Sequence, residues 1–349
     1  NHFSVDNAQN LVHRCLLESD GVTYRARRPR QDEQTEFLTS TEQWFRPVNL
    51  TTGPDGALYI VDMYRDIIED YSAIPRHLQQ VYVKSLIAGA DRGRIWRIVP
   101  DGRSPALKIQ LHHAAAAELV GYLASPNVWL RKTSQRLLVE RGDTSVTSAL
   151  EHMATQGATA PACLHALYTL SGLGTLRTAI IELALRDSHF ALRNHALRLA
   201  EKFFEQSPDL IDAALELVKD QHPRVHLQLA LTLGETSDPR AATTLASLAI
   251  ENADDPWMSA AIFSSSANSA APMLAAILAK AADGPENRAM VHSLGSIAGA
   301  SGDLSQIGLT LKSLADLPKD SPAEVARSTL AGLSEGLGRA GRQVVGDLG

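Results

Sequence analysis

The sequence predicts two unlike parts: an incomplete all-β stack of repeated sheets over residues 1–104, then an all-α solenoid of two-helix units over residues 105–349. Three observations predict this. A strand–Asp–loop–strand pattern occurs twice in the first hundred residues, and a loop-then-helix pattern recurs seven times after Leu111. Between them the composition shifts from aromatic and charge-balanced to rich in Ala and Leu.

In the first copy of the β pattern, His2-Phe-Ser-Val-Asp6 is a short strand ending in Val-Asp, and Asn10–Leu17 is a second strand before Asp20-Gly21. Leu58-Tyr-Ile-Val-Asp62, Arg94–Val99 and Asp101-Gly102 repeat that order, which equates His13 with Arg97. A unit of this size cannot bury both of its faces, and radial stacking of blades into a β-propeller is the usual solution. The first copy lacks an innermost strand, so about two blades of an incomplete propeller are expected, with the chain entering inside a blade. Tyr24-Arg-Ala-Arg-Arg-Pro-Arg30 alternates like an outer strand with a solvated basic face.

The run Trp44–Arg65 reads as strand, Gly53-Pro-Asp-Gly56 turn, strand. A hairpin brings its two ends together, so Arg46 and Asn49 are expected on the same rim as Asp62, Tyr64 and Arg65. Asp55 and Gly56 are turn formers. Residues 66–92 form an insertion on that rim, read as a helical turn at Ile67–Tyr71 and a loop at Ile74–Leu78; an insertion here can serve as a lid or pocket wall.

Past Pro105 apolar residues recur at three- and four-residue spacing. Each unit opens on Ser or Asp, with Arg or a small residue six positions on: Ser125 to Arg131, Asp187 to Arg193, Asp220 to His226, Asp254 to Ala260. Weaker copies run from Gln156, Asp283 and Asp320. About seven helix pairs follow, and the period and Asp/Arg pattern resemble HEAT repeats. Asp is expected to cap the second helix of a pair, Arg131 and Arg193 to meet inter-helix acids, and the late glycines Gly295, Gly299, Gly302, Gly336, Gly338 and Gly341 to weaken the last units.

Net charge is −6, from 33 basic and 39 acidic residues, which argues against nucleic acid as a partner. Residues 1–110 hold 14 of each sign, so the acidic excess lies in the solenoid. No apolar run reaches the roughly 18 residues of a membrane span. The two cysteines, Cys15 and Cys163, fall on opposite sides of the composition shift and form no metal or haem motif. His112-His113 has no partner at metal spacing, Gly172-Leu-Gly174 sits between helices, and no metal site is expected.

Trp44–Asn49, Gly53–Tyr59 and Asp62–Arg65, followed by the helix Trp129–Arg141, resemble the large membrane-bound dehydrogenase proteins of Planctomycetes and related bacteria. In those proteins the end of a glucose/sorbosone-dehydrogenase-like propeller joins a HEAT array. The resemblance implies an extracytoplasmic sugar or alcohol dehydrogenase using a quinone cofactor such as PQQ. Its electrons would pass to haem c in a further module, for which no Cys-x-x-Cys-His motif is present here. With most of a propeller ring lacking, this stretch by itself is expected to be inactive.

Under that reading Arg46 contacts cofactor or substrate through its guanidinium, with Tyr64, Arg65, Asn49 and Asp62 beside it, and His13 is the candidate general base. The structural alternatives are an Arg46–Asp62 salt bridge, and blade-stabilising roles for the repeated Asp6 and Asp62. The rival functional reading is a non-catalytic propeller-plus-solenoid scaffold that binds proteins or glycans, with the protein partner on the solenoid.

Overall fold

The computed structural model describes residues 1–102, 109–280, 285–318 and 321–341. The expected boundary at 104/105 and the loop acids Asp283 and Asp320 lie outside the described residues. Two compact units are present, Asn1–Leu173 and Gly174–Gly349.

The first unit opens with two small antiparallel sheets. In one, β2 (Leu11–Asp20) pairs with β1 (His2–Asp6), β3 (Thr23–Arg27) and the short β4 (Leu38–Thr39). The other is a meander of β5 (Pro47–Thr52), β6 (Leu58–Asp62) and β7 (Arg94–Ile98). Alternation along the strands puts Phe3, Val5, Val12, Leu50, Leu58 and Ile60 into one core around Phe45, so the sheets bury their inner faces against each other. Full burial, as of Val12, Phe45 and Ile60, contributes about 1.5–3 kcal/mol per side chain.

The repeat read from sequence is present, with one correction. Asp6 pairs with Leu11 and Asp62 with Arg94, so counting along each ladder brings Phe3–Arg14 into line with Tyr59–Arg97. Arg14, not His13, is therefore the counterpart of Arg97, and His13 corresponds to Trp96. A one-residue slip moves a side chain to the opposite face of a sheet, so the two assignments put His13 in opposite environments.

The insertion also differs from expectation. Ile67–Asp70 is not helical; a 3₁₀ turn spans Tyr71–Ala73, and a twelve-residue helix, α1 (Arg76–Ile87), follows. Pro75 explains it: the ring presets a helix-compatible φ at the N-terminus, and the Pro75 carbonyl accepts the Leu78 and Gln79 amides at 2.8 and 3.1 Å. Ile74–Leu78 is a helix entry.

Four helices complete the first unit: α2 (Ala116–Tyr122), α3 (Val128–Arg141), α4 (Thr147–Gln156) and α5 (Ala160–Gly172). Asn127 joins them to the hairpin. Its Oδ1 caps α3 by accepting the Trp129 amide at 2.9 Å, and its Nδ2 donates to the Pro54 and Gly53 carbonyls at 2.8 and 3.3 Å. The Gly53–Gly56 turn thus rests on the first long helix. Asn127→Ser keeps a cap and drops the two turn bonds, whereas Asn127→Ala loses both. We expect Asn127→Ala to cost about 2 kcal/mol and Asn127→Ser about half that, read as shifts in the urea midpoint; equal shifts would show that the turn bonds contribute nothing.

The second unit continues with α6 (Thr178–Leu185), α7 (Phe190–Ala200), α8 (Pro208–Glu216), α9 (Pro223–Thr232), α10 (Pro239–Glu251), α11 (Pro256–Ser265), α12 (Ala270–Leu278), α13 (Pro285–Ala300), α14 (Leu304–Ala315) and α15 (Ala323–Arg339). Among the described residues α2/α3, α4/α5, α6/α7, α10/α11 and α12/α13 pack as consecutive pairs, and α15 packs mainly on α13. The recurring loop has a clear physical basis. Arg131 Nη1 reaches back to the Ser125 and Pro126 carbonyls at 2.7 and 3.0 Å, and Arg193 Nη1 to those of Asp187 and Ser188 at 2.8 and 2.9 Å. Six residues is the spacing that lets a first-turn Arg close its own loop. Arg193 also forks onto Asp220 of the next pair, at 2.5 and 2.9 Å; among the described residues Arg131 meets no acid in this way.

The cap expected of Asp is present at α11, where it is Asp255. At α3, α7 and α9 it belongs to the residue two positions past the opening Ser or Asp, Asn127, His189 and His222, and at α5 to Thr159. Asp187 and Asp220 instead accept the backbone N–H of His189 and His222, at 2.7 and 2.8 Å.

Four of the late glycines do not weaken the array; they let α13 and α15 touch. A Cβ on Gly295 would lie 2.7 Å from the Thr329 carbonyl oxygen, and one on Gly299 would lie 2.9 Å from the Leu337 nitrogen. From the other side, Gly332 abuts the His292 carbonyl and Gly336 that of Ser296. Two Gly-x-x-x-Gly stripes run parallel with a constant offset, which only glycine permits at this separation.

Candidate functional site

The hairpin brings the expected rim residues together. Pairing continues past the strand ends, where the Met63 amide donates to the Arg46 carbonyl at 2.9 Å and the Arg65 amide to that of Trp44 at 3.1 Å. Arg46, Asp62, Tyr64 and Arg65 therefore share one edge. Asn49 is set apart from them: a bulge between Pro47 and Asn49 breaks the register, and its exposed side chain accepts its neighbour Leu50's amide at 2.7 Å.

Asp62 is the centre of this edge. Its side chain is 0% exposed, yet both carboxylate oxygens are satisfied. Oδ1 accepts the Arg46 and Tyr64 amides at 2.8 and 2.9 Å. Oδ2 accepts Trp96 Nε1 at 3.0 Å and Arg94 Nε and Nη2 at 3.2 and 3.0 Å. Burial by itself would raise this carboxyl's pKa; the hydrogen bonds from Arg46, Trp96, Tyr64 and Arg94 outweigh it and hold the group below its ordinary value. The expected Arg46–Asp62 salt bridge is thus replaced by an Arg94–Asp62 one. Arg94 also lies over the rings of Tyr64, 3.9 Å away, and Trp96, 4.9 Å away.

Arg46 is engaged elsewhere. Its Nε donates to the Arg65 carbonyl at 3.0 Å, Nη2 to that of Asp66 at 2.8 Å, and Nη1 to those of Asn7 and Ala8 at 3.0 and 3.3 Å. It staples the β1–β2 loop of one sheet to the rim of the other. Asp6, the repeat counterpart of Asp62, accepts the Ala8 and Gln9 amides at 3.0 and 2.9 Å in that same loop.

Tyr64 holds a left-handed backbone, φ +51°, a strained conformation for a bulky residue. Its amide bond to Asp62 and its contacts with Arg94 and Trp44, whose ring lies 5.5 Å away, support it. Gly89, itself at φ +83°, backs directly onto the Tyr64 carbonyl. The Arg65 Nη1 atom is buried with no hydrogen-bond partner among the described residues.

His13 sits apart from this group, in an ion network of the first sheet. Its Nδ1 lies 2.7 Å from Glu36 Oε2 and 3.2 Å from Arg28 Nη2, and Arg28 also meets Glu36 at 2.5 Å. Hydrogen bonds from His13 and then Arg28 depress the Glu36 carboxyl against the pull of burial. Arg14 beside it forks onto Asp32 at 2.8 and 2.9 Å. In the basic strand, Arg25 pairs with Asp20 and Arg27 with Glu18, on an exposed face.

Sequence reasoning missed Arg94, Trp96 and Asn127. The first two were open to it: in Arg94-Ile-Trp96, alternation puts both on one face of the strand that follows the Asp62 strand. Asn127 carries no signal beyond being a cap.

The rim does not fit a carboxylate-bearing quinone. Such a ligand needs uncommitted cations, whereas Arg46 donates to four carbonyls, Arg94 closes on Asp62, and Asp62 is a fixed anion. Among the described residues of this rim, Arg65 keeps one guanidinium nitrogen, Nη1, without a partner, and it is buried. His112 and His113 stack on each other with ring centroids 3.8 Å apart. Among the described residues no group of three or more His, Cys, Asp and Glu is placed to hold a metal ion, and both cysteines are free thiols. No helix among them is long and apolar enough to cross a membrane.

Residues 1–102 match the family model of a domain of unknown function, DUF7133, whose description names no activity. No curated protein matches the chain. Residues 178–266, which span α6–α11, match the HEAT-repeat model, so these helical pairs are HEAT repeats.

Proposed function

We propose that this chain is a protein-interaction scaffold, in which the two sheets are neighbouring blades of a propeller arc and the HEAT pairs are the docking array. One observation carries the reading: the polar groups gathered at the rim are turned inward as structural ties. A catalytic rim keeps cations and a base uncommitted for ligand; here Arg46 and Asp62 connect loops and His13 is held by Glu36. The arc is supported by the shared core and by the Asp that closes the same loop in each copy. HEAT arrays offer repeated helix faces suited to partner proteins, and the exposed Trp257 at the start of α11 supplies an aromatic anchor of the kind such surfaces use.

A second reading has one observation in its favour. The partnerless Arg65 Nη1 stands on the rim where the dehydrogenase resemblance puts the cofactor, as in an extracytoplasmic sugar or alcohol dehydrogenase with PQQ. Calorimetric titration with PQQ of a form carrying the whole propeller ring separates the two. The scaffold reading expects no saturable heat. Binding that weakens roughly 10- to 100-fold in Arg65→Ala, the loss of one charge-assisted contact, would install the catalytic reading instead.

A further inference from the structure

In the array α3, α5, α7, α9 and α11 are capped by loop side chains, and two of the caps, from equivalent positions two residues past Asp187 and Asp220, are imidazoles. His189 Nδ1 accepts the Ala191 amide at 3.1 Å and His222 Nδ1 accepts the Arg224 amide at 3.3 Å. Asn, Thr and Asp do the same task at α3, α5 and α11 without titrating near neutrality. The two histidines belong to one structure. Phe190 is stacked between them, its ring 5.1 Å from His189 and 3.7 Å from His222. Arg193 ties both loops, bonding the Asp187 and Ser188 carbonyls and the Asp220 carboxylate.

We propose that this loop edge is a proton-responsive element: acidification removes the His222 cap of α9 and opens its first turn. An imidazole can accept at Nδ1 only while that nitrogen is unprotonated. Once protonated it opposes the amide it capped, and it adds positive charge to the positive end of a helix dipole.

The surroundings set the range. Around His222 stand Arg224 on its own helix, Asp220 and Lys219 in its own loop, and Arg193 and His189 from α7. Burial first, then Arg224, with smaller contributions from Arg193 and His189, lowers the His222 pKa below 6.5, against the pull of Asp220. A depressed histidine contributes stability that is complete above its unfolded value, about 6.5. That stability declines as the pH falls below this value toward the folded one. The element therefore opens on the acid side of pH 6.5 and is closed at neutral pH.

Amide hydrogen exchange of the whole chain tests this, as the protection factor at Arg224 between pH 7.5 and 5. The expected result is a roughly fivefold loss in the wild type, the size of one lost cap. A His222→Asn variant, which keeps a cap that does not titrate, should show a flat profile. The same decline in the variant, or none in the wild type, would overturn the proposal. Should the variant fail to fold, a ¹⁵N titration of the wild-type His222 imidazole decides: a ring that protonates while the Arg224 amide stays protected refutes it.

Discussion

Asp62→Asn is expected to destabilise the β part by about 2–3 kcal/mol, the cost of leaving buried donors unsatisfied. The loss comes less from Arg94 than from the other donors. Arg94 is 38% exposed and can turn to water, whereas Asp62 is fully buried, with the Arg46 and Tyr64 amides and the Trp96 indole aimed at it. An Asn there keeps one acceptor oxygen and presents an NH₂ to donors. Tyr64 would lose the amide bond that supports its left-handed backbone, and the insertion that Gly89 seats against it should loosen. The measurement is hydrogen exchange at the Arg46 and Tyr64 amides, with the urea midpoint of the sheet signal. A cost below about 1 kcal/mol, the range of an exposed pair, would show that the rim is held by other contacts. The acid limb carries the same signature. The folded pKa of Asp62 is depressed, so its contribution is complete above pH of about 4, the unfolded value, and is lost as the pH falls through the folded one. Asp62→Asn should remove that part of the acid transition.

What the sequence made legible follows from where the determinants lie. Convergence of Arg46, Asp62, Tyr64 and Arg65 was readable because a Gly-Pro-Asp-Gly turn fixes which residues of a hairpin are neighbours. The task of Arg46 was not, because its partners are backbone carbonyls of Asn7, Ala8, Arg65 and Asp66, and a carbonyl has no letter in a sequence. The same limit cuts the other way in the array. The six-residue step to Arg131 and Arg193 was visible because the side chain that closes the loop repeats, though its acceptors do not show. His13 was misplaced for a geometric reason: matching Asn10 to Arg94 is one residue off the ladder, and alternation turns a slip of one into a change of face. The helix at Arg76–Ile87 was missed because Pro75 was read as a loop former when it stands at a helix entry. Glycine was misjudged because helix propensity concerns one helix, whereas Gly295, Gly299, Gly332 and Gly336 act between two.

That last point yields the second large effect. Gly332 and Gly336 are buried in α15, and a Cβ on either would fall inside the van der Waals shell of a carbonyl oxygen on α13, from His292 or Ser296. Backbone atoms cannot rotate away as a side chain can, so α13 and α15 must separate. Separation also pulls α15 from α14, where Ile307 and Leu311 pack on Leu333 and Leu337. Helix propensity favours Ala over Gly by about 1 kcal/mol, so the clash must outweigh that gain before any loss appears. Overpacking at a site this tight costs about 3 kcal/mol or more, leaving Gly336→Ala destabilising by roughly 2 kcal/mol and Gly332→Ala/Gly336→Ala by more. Gly338, on the same helix, is the control: nothing lies within 4 Å of its would-be Cβ, so Gly338→Ala should stabilise by about 0.5–1 kcal/mol. Thermal unfolding followed by helical circular dichroism reads both signs in one protein. If Gly336→Ala and Gly338→Ala shift the transition in the same upward direction, the two helices are not in backbone contact, and the glycines serve no packing role.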